Sequence, residues 1–403
     1  MSTSLLYHGL SVRGYRYLKT EYVKDGVVFH IKKSEGKVKC VSCGSREVIK
    51  FGGIRRRVKT LPIGFRLVWL EMHLHRIKCK ECGWLGLEPL KLSEPKKSWT
   101  RALGRYILGM LKHMTIKSVA GHLRMSWDTV KDIHKWALKK RFKNRPLKHL
   151  RYLGVDEVAV RKGHRYLTIV LDLESGAVVW VKEGRDKGSL EEFIKRLKRS
   201  GAKIKGIAMD MWPPYMSVVL NHYPSSVLVF DHYHVISDYN RTLDALRNQE
   251  ARVAPVRDKR VYKGMRYLLL RGAEKLESNE NGKAKLSELL KLNESLNVAY
   301  ILKEELREFW SCGDIKEGRE YLDNWLKKAW GSGIELLTKF ANRLSSHRSG
   351  LLNYFKHHIT TAKVEGVNNK IKTLKRMAYG FRDMEYFKLR IYALHEATYA
   401  LIG

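Results

Sequence analysis

The sequence is short of acid. Its 403 residues carry 41 Asp+Glu against 78 Lys+Arg, a formal charge of +37 with a pI near 10.0. Self-repulsion on that scale is expected mainly where a polyanion neutralises it, so nucleic acid is the first partner to consider. Long apolar runs are missing too: no stretch of about 18 such residues appears, which excludes a membrane-spanning helix, and the first residues lack the apolar segment of a secretory signal. A soluble, cytoplasmic protein is the expectation. Internal repeats and low-complexity segments are absent, which leaves an ordinary globular chain whose length predicts two to four domains. Cysteine is scarce, with five in the chain. Four of the five fall in Cys-x-x-Cys pairs, a pattern that in a cytosolic chain points to a metal rather than to disulfides.

What is present is unevenly spread. Residues 1–150 hold 34 Lys+Arg and 10 Asp+Glu, a net +24 of the total +37, so the binding face is expected at the N-terminal end. Cys40-Val-Ser-Cys43-Gly44 and Cys79-Lys-Glu-Cys82-Gly83 each have the knuckle form that aims two thiolates at one tetrahedral Zn²⁺. Between them, FGGIRRRVKTLPIGFRLVWLEMHLHRIKC reads as strand, turn at Pro62-Ile63-Gly64, and strand, which closes a zinc ribbon. A redox pair or free thiols is the competing reading. His73 and His75 share a strand face and are structural or phosphate-facing rather than ligands, since four thiolates complete the site. Arg55, Arg56 and Arg57 form a solvated turn or a phosphate contact.

Residues 99–143 change to helical periodicity. Ile116, Val119, Ala120 and Leu123 form one stripe; Val130, Ile133, His134 and Ala137 form a second, after Met125 and a candidate N-cap at Ser126. Two helices around a short turn suggest a helix-turn-helix, whose second helix carries Trp127, Thr129, Lys131 and Lys135 towards the major groove. Any helical hairpin imitates this pattern. Lys139 to Lys148 is a basic linker interrupted by proline.

Tyr152 to Val160, YLGVDEVAV, is a short apolar run with Asp156 and Glu157 in its middle. As a strand it alternates, so the two acids face opposite sides, and a buried carboxylate is costly unless a metal or a cation compensates. The elements that follow are the strands RYLTIVLDL and AVVWVKEG, the helix SLEEFIKRLKRSG, the strand IKGIAMDMW, the helix PPYMSVVLNHY and the strand SVLVFDHYHV. Glu174-Ser175-Gly176 makes a hairpin turn. Three strands in meander and then strands alternating with helices is the order of a ribonuclease H-like mixed sheet, in which the first and fourth strands lie side by side and bring Asp156 next to Asp210. Residues 240–345 read as a helical insertion. A last helix, Thr361 to Met377, places Glu365, Asn368, Asn369 and Lys372 on one face and ends at Gly380. Carboxylates from two adjacent strands and one helix can hold two divalent cations about 3.5–4 Å apart, and oxygen ligands favour Mg²⁺, or Mn²⁺, over Zn²⁺.

With these residues in place, the chain resembles the insertion-sequence transposases of the ISL-three family, within the larger DDE group that has ribonuclease H-like cores. The resemblance spans nearly the whole chain. It rests on the Cys40/Cys43/Cys79/Cys82 ribbon with LEMHLHRIKCKECG, the central helix-turn-helix, GVDE at 154–157, MDMWPPY at 209–215, VFDHYHV at 229–235 and AKVEGVNNKIKTLKRMAYGFRD at 362–383. It implies Asp156, Asp210 and Glu365 as the metal-binding triad, cleavage at the terminal inverted repeats of a mobile element, joining of the freed 3′-hydroxyls to target DNA, and at least a dimer on DNA. Asp231 and His234 match the family's Asp-x-x-His, which positions DNA or the triad, or else is a hydrogen-bonded structural pair. Tyr233 in place of a commoner Phe and Pro213-Pro214 after Trp212 depart from the pattern without touching the chemistry.

The expected architecture is multidomain α/β. A zinc ribbon covers 1–95, a helix-turn-helix covers 96–148, and a ribonuclease H-like mixed-sheet catalytic core covers 149–239 and 346–403, interrupted by an all-helical insertion over 240–345. Double-stranded DNA is the expected partner, with neither a membrane nor a small-molecule substrate. Two other readings compete: a DNA-binding regulator that does not cut, and a structure-specific ribonuclease H-like nuclease. Among the remaining acids, Asp172 is expected in the hairpin turn, and Asp186 and Asp238 as solvated or capping groups. Trp212 and Tyr215 stack on an unpaired base or belong to the core. Asn368, Asn369, Lys372, Arg376 and Arg382 touch phosphates or line an exposed face. The charge argument has a direct consequence: DNA affinity should fall by about 0.9 log unit per log unit of salt for each phosphate contact, and a flat response in a salt titration would contradict it.

Overall fold

Apolar residues alternate with polar ones between the cysteine pairs, and this segment forms two long antiparallel strands, β3 (Val48–Lys59) and β4 (Leu67–Cys79). The computed structural model describes residues 5–34, 38–161, 165–272, 274 and 280–396. The chain divides into two units, residues 1–143 and 144–396. In the first, β1 (Tyr15–Val23) and β2 (Gly26–Lys33) complete a sheet of order β1-β2-β4-β3, with β5 (Leu85–Leu87) paired to β4. Val68, Leu70, Met72 and Leu74 face inward onto Leu6, Leu10 and Ile31.

The two knuckles meet as their spacing requires. The sulfurs of Cys40 and Cys82 lie 3.6 Å apart, as do those of Cys43 and Cys79, and all four lie within 4.8 Å of one another. Four thiolates at about 2.3 Å from a tetrahedral zinc are spaced by about 3.8 Å, so the cage fits the ion. Backbone N–H groups of Cys43 and Ser42 point at the Cys40 sulfur and hold its thiol down to about 7, towards the thiolate that zinc needs.

Three helices follow in the same unit: Arg101–Met110, Ile116–His122 and Trp127–Phe142. Each has a side-chain N-cap, from Thr100, Thr115 and Ser126 in turn, and their core is Trp99, Leu103, Ile107, Val119, Leu123, Val130 and Ile133. Arg124 takes a positive φ of 44° in the turn between the second and third helices. Lys59 donates to the carbonyls of Leu123 and Arg124, and Thr60 hydrogen bonds to Thr100, so ribbon and helices fold as one unit across residue 95.

The second unit is built on a sheet of order β10-β9-β6-β7-β8. Its strands are β6 (Tyr152–Arg161), β7 (Arg165–Asp172), β8 (Val178–Glu183), β9 (Gly206–Met209) and β10 (Leu228–Phe230). β6, β7 and β8 are antiparallel neighbours, β9 is parallel to β6, and β10 is parallel to β9, which is the ribonuclease H-like order. The turn after β7 is held by Asp172, which accepts from the backbone of Glu174 and Ser175.

One element differs from the sequence reading. The strand expected through Val235 stops at Phe230, because Asp231 accepts from the His234 N–H and caps a helix, His232–Val253. That helix runs straight into the insertion. Among the described residues the insertion contains helices and no strand, with Tyr239, Trp325 and Phe340 packed edge to face. Its core is continuous with that of the sheet, from Val155 and Met209 to Leu302 and Phe340. Among the described residues no helix is long and apolar enough to cross a membrane.

The helix Ala362–Met377 lies against β6 because of Gly154. A Cβ there would stand 2.4 Å from Val364 Cγ2 and 2.9 Å from Leu173 Cδ2, so only hydrogen fits. This close approach sets the height of Glu365 and Asn368 above the strand.

The ribbon is too small to hold itself without metal. Chelating zinc, or replacing Cys40 and Cys79 by Ser, should open residues 38–87 to protease and weaken DNA binding while residues 144–396 stay resistant. A ribbon that keeps its resistance after chelation would show that the thiols hold no structural ion.

Candidate active site

Register places three acids in one row. Gly154 on β6 pairs with Ala208 on β9, and Met209 pairs with Phe230 on β10. Carried two residues beyond the first pair and one beyond the second, that register sets Asp156, Asp210 and Asp231 side by side on three neighbouring strands. Atoms of Asp156, Asp210 and His234 that could ligate a metal lie within 4.8 Å of one another.

Each acid is handled differently. Asp156 is pushed up to about 6 by burial and by the neighbouring charge of Asp210. Its Oδ2 accepts from the Asn368 side-chain amide at 2.7 Å, and its Oδ1 from the Glu157 N–H at the same distance. Asp231 is only 2% exposed, yet hydrogen bonds from His234 and the Thr361 N–H outweigh burial and hold it down to about 2. His234 answers both neighbours: burial opposes its charge, but Asp210 and Asp231 drive the imidazole up to about 10. Its Nδ1 is 2.6 Å from Asp210 Oδ1 and 3.2 Å from Asp231 Oδ2. The ring N–H is directed at Asp231, so the contact with Asp210 is an ion pair and that oxygen has no directed donor. A ring nitrogen engaged with two carboxylates is a donor rather than a metal ligand.

One buried acceptor is left over here, Asn368 Oδ1, since Asp210 Oδ1 has the His234 Nδ1 at 2.6 Å. An orphaned oxygen beside crowded carboxylates suits a hard cation that seeks oxygen ligands. Glu365 is exposed, in the first turn of its helix, one turn before the buried Asn368. It lies outside the close group of Asp156, Asp210 and His234.

The opposite face of β6 holds the other acid. Glu157 is raised by burial, with Arg185 opposing at 3.8 Å. Behind it Thr168, Ser189 and Tyr215 are linked by hydrogen bonds of 2.7 and 2.8 Å, so Tyr215, 2% exposed, is core. Trp212 is half-buried and donates from Nε1 to the Arg185 carbonyl, with the guanidinium 5.4 Å from its ring. Asp186 caps the helix Lys187–Arg199, and Asp238 pairs with Arg241.

The basic candidates are scattered. Arg55 is exposed, Arg56 donates to the Lys97 carbonyl, and Arg57 pairs with Glu71 at 2.8 Å. His73 and His75 stack edge to face and stand apart from the thiols. On the helix after Ser126, Trp127 is 48% exposed with the Lys131 ammonium 5.3 Å from its ring, while Thr129 and Lys135 are half-buried. Asn369, Lys372, Arg376 and Arg382 are all exposed; Asn368 alone of that group turns inward. Sequence reasoning missed Asn368 as the holder of Asp156 and Asp231 as a helix cap. An Asp three residues before His at the start of a 3.6-periodic run was the available signal for the cap.

A ribonuclease H-like core with one acid within its first strand and a second just past the end of the neighbouring strand, preceded in the chain by a zinc ribbon and a helix-turn-helix, defines a multidomain α/β enzyme that acts on DNA. The chain belongs to the ISL3 family of insertion-sequence transposases. Residues 153–391 match the transposase model of that family, residues 88–135 its helix-turn-helix domain, and residues 37–82 the zinc-finger of transposase IS204/IS1001/IS1096/IS1165. The transposase for insertion sequence element IS1001 of Bordetella parapertussis is 33% identical over 390 residues, covering 94% of this chain and 95% of the relative. The transposase for insertion sequence element IS1557 of Mycobacterium tuberculosis is 29% identical over 379 residues, covering 86% and 83%. Among solved structures, the Drosophila P element transposase strand transfer complex aligns at TM-score 0.39 and 11% identity, covering 74% of this chain and 92% of that one.

Asp231 offers a test of the arrangement. Its carboxyl sits below its ordinary value, so its stabilising effect is held above about pH 4 and lost as pH falls through about 2. Asp231→Ala should therefore cost about 2–4 kcal/mol at neutral pH, read by denaturant unfolding, because it strips a cap and leaves His234 and the Thr361 N–H unanswered. A loss under about 0.5 kcal/mol would show that the junction does not carry the core.

Proposed function

We propose that this DNA transposase binds the terminal inverted repeats of its insertion sequence, hydrolyses the DNA at the ends and joins the freed 3′-hydroxyls to target DNA. The observation that carries this is the closeness of Asp156, within β6, and Asp210, just past the end of β9, with the Glu365 helix packed over β6 through Gly154. Asp156, Asp210 and Glu365 would hold Mg²⁺ or Mn²⁺. Bound there, the ion supplies Lewis-acid charge to the scissile phosphate and to the attacking oxygen.

The chain's own groups prepare that site. Asn368 keeps Asp156 turned towards Asp210, and His234 pins Asp210 from the other side. Charged at Nδ1, the imidazole lets two carboxylates stand close before a metal arrives. Asp231 fixes the imidazole and, through the Thr361 N–H, the first turn of the helix that bears Glu365. In the first step water attacks the phosphorus, the P–O bond to the 3′-oxygen breaks, and that oxygen leaves as a hydroxyl. In the second step the same hydroxyl attacks a target phosphodiester in line, and a target 3′-oxygen leaves.

The helix Trp127–Phe142, with the exposed Trp127 and the half-buried Thr129, Lys131 and Lys135, is assigned to the major groove of the repeats. Arg55, Arg56 and Arg57 on β3, and Asn369, Lys372, Arg376 and Arg382 near the catalytic helix, are assigned to phosphates. Two ends are held at once, by a dimer or a larger assembly, in the cytoplasm where the DNA lies.

The test is cleavage of a duplex carrying the repeats that border the gene, in Mg²⁺ or Mn²⁺. Asp156→Asn, Asp210→Asn and Glu365→Gln should each lose at least about a thousandfold in rate, with end binding retained. A wild type that cuts no better than Asp210→Asn would leave a DNA-binding protein without cleavage, and cutting that ignores the end sequence would make it a structure-specific nuclease.

A further inference from the structure

The helix that bears Glu365 ends in an unusual way. Its cap is a Schellman motif: Tyr379 N–H donates to the Arg376 carbonyl at 3.0 Å and Gly380 N–H to the Lys375 carbonyl at 2.9 Å. The residue after the C-cap in such a motif takes a left-handed conformation, and glycine is the usual choice because it has no Cβ to strain. Here that position, φ 50°, is Tyr379, and the glycine comes one place later. The ring gains nothing in exchange: Tyr379 is 101% exposed, so it covers no core. A bulky aromatic held in a strained backbone and presented wholly to water is unfavourable for folding on two counts.

The surroundings indicate what the ring meets. Lys372, Arg376 and Arg382 are exposed, and among the described residues none of them pairs with an acid. Met377, two residues before the ring, is itself 44% exposed. The loop beneath is firm, since Phe381 stacks on Phe387 with ring centroids 4.4 Å apart. A firm loop that offers an exposed aromatic ring three residues after Arg376 and three before Arg382 matches the stacking and phosphate chemistry of DNA. Asn368, against Asp156, precedes Tyr379 by eleven residues, about 16 Å along a helix and about five base steps of a duplex.

We propose that Tyr379 is a stacking wedge that packs against a base of the end duplex, within about five steps of the cut, while Lys372, Arg376 and Arg382 hold the adjacent phosphates. The inference rests on the assignment of Asp156, Asp210 and Glu365 as the site that cuts. Tyr379 acts on the position of the DNA and takes no part in the chemistry.

The test uses the full chain, a duplex carrying the terminal repeat that borders the gene, and two variants, Tyr379→Gly and Tyr379→Trp. Tyr379→Gly should melt at or above the wild-type temperature, because it relieves the cap, yet cut about tenfold more slowly, and Tyr379→Trp should cut at nearly the wild-type rate. A benzophenone amino acid replacing Tyr379 should crosslink to DNA near the cut, and should do so in an Asp210→Asn background as well. Wild-type cutting by Tyr379→Gly would overturn the proposal, as would a loss of rate that follows a lowered melting temperature. Crosslinking to a second copy of the chain instead of DNA would also overturn it and make the ring a subunit contact. If the wild type itself fails to cut, the assignment of the acids falls, while the crosslink still decides whether the ring lies on DNA.

Discussion

One buried carboxylate ties the catalytic half together. Asp231 follows directly on β10, caps the helix that leads into the insertion, receives the Thr361 N–H ahead of the Glu365 helix, and meets the imidazole that reaches Asp210. Strand, insertion, the helix that bears Glu365 and the acid row therefore share a single group. A charge buried to that degree is tolerable only because each oxygen has a donor and a helix N-terminus faces it. The residues concerned are separated by as much as 130 positions in sequence, so the junction exists only once both parts of the core have folded around the insertion.

The same junction resolves a conflict of charge. A protein with a net charge of +37 must still gather acids in one place: Asp156 stands on β6, and Asp210 and Asp231 follow directly on the ends of β9 and β10. Burial, and after it the charge of Asp210, raises Asp156 to about 6. The row is stable because its three members are answered separately. Asp231 has the helix cap, Asp210 has the charged imidazole, and Asp156 has the amide of Asn368. The remaining orphan oxygen, that of Asn368, is what a divalent ion held by these acids would complete.

Position is governed from the hydrophobic side. Gly154 lets the helix that bears Glu365 descend onto β6, and any side chain at that place would push against Val364 of that helix and against Leu173. The insertion is bound to the sheet by continuous apolar packing from Met209 to Phe340, which makes it a support for the long helix that carries His234 rather than an appendage. Lys303, 1% exposed, donates to the Leu269 and Arg271 carbonyls at 2.6 Å and holds the insertion's irregular segment to its core.

Local patterns were enough for much of this protein. The two Cys-x-x-Cys knuckles, the period-2 strands β3 and β4, the N-cap at Ser126 and the strand-helix order after residue 150 are short-range signals, and each reappears in the structure. Asp156 beside Asp210 was also legible, because parallel neighbours in that sheet order meet in register. What composition and spacing could not contain was the direction of side chains after packing. Asn368 and Glu365 lie one turn apart on one helix, and only the depth set by Gly154 turns Asn368 inward onto Asp156 while Glu365 stays in solvent. Asp231 read as the end of a strand because the run before it is apolar, yet it accepts the His234 N–H as a helix cap, and the bond from Thr361, 130 residues away, ties it to the helix that bears Glu365. Periodicity and spacing report what neighbours in sequence do; the pairing of donors with buried charges is decided by contacts the chain makes only when folded.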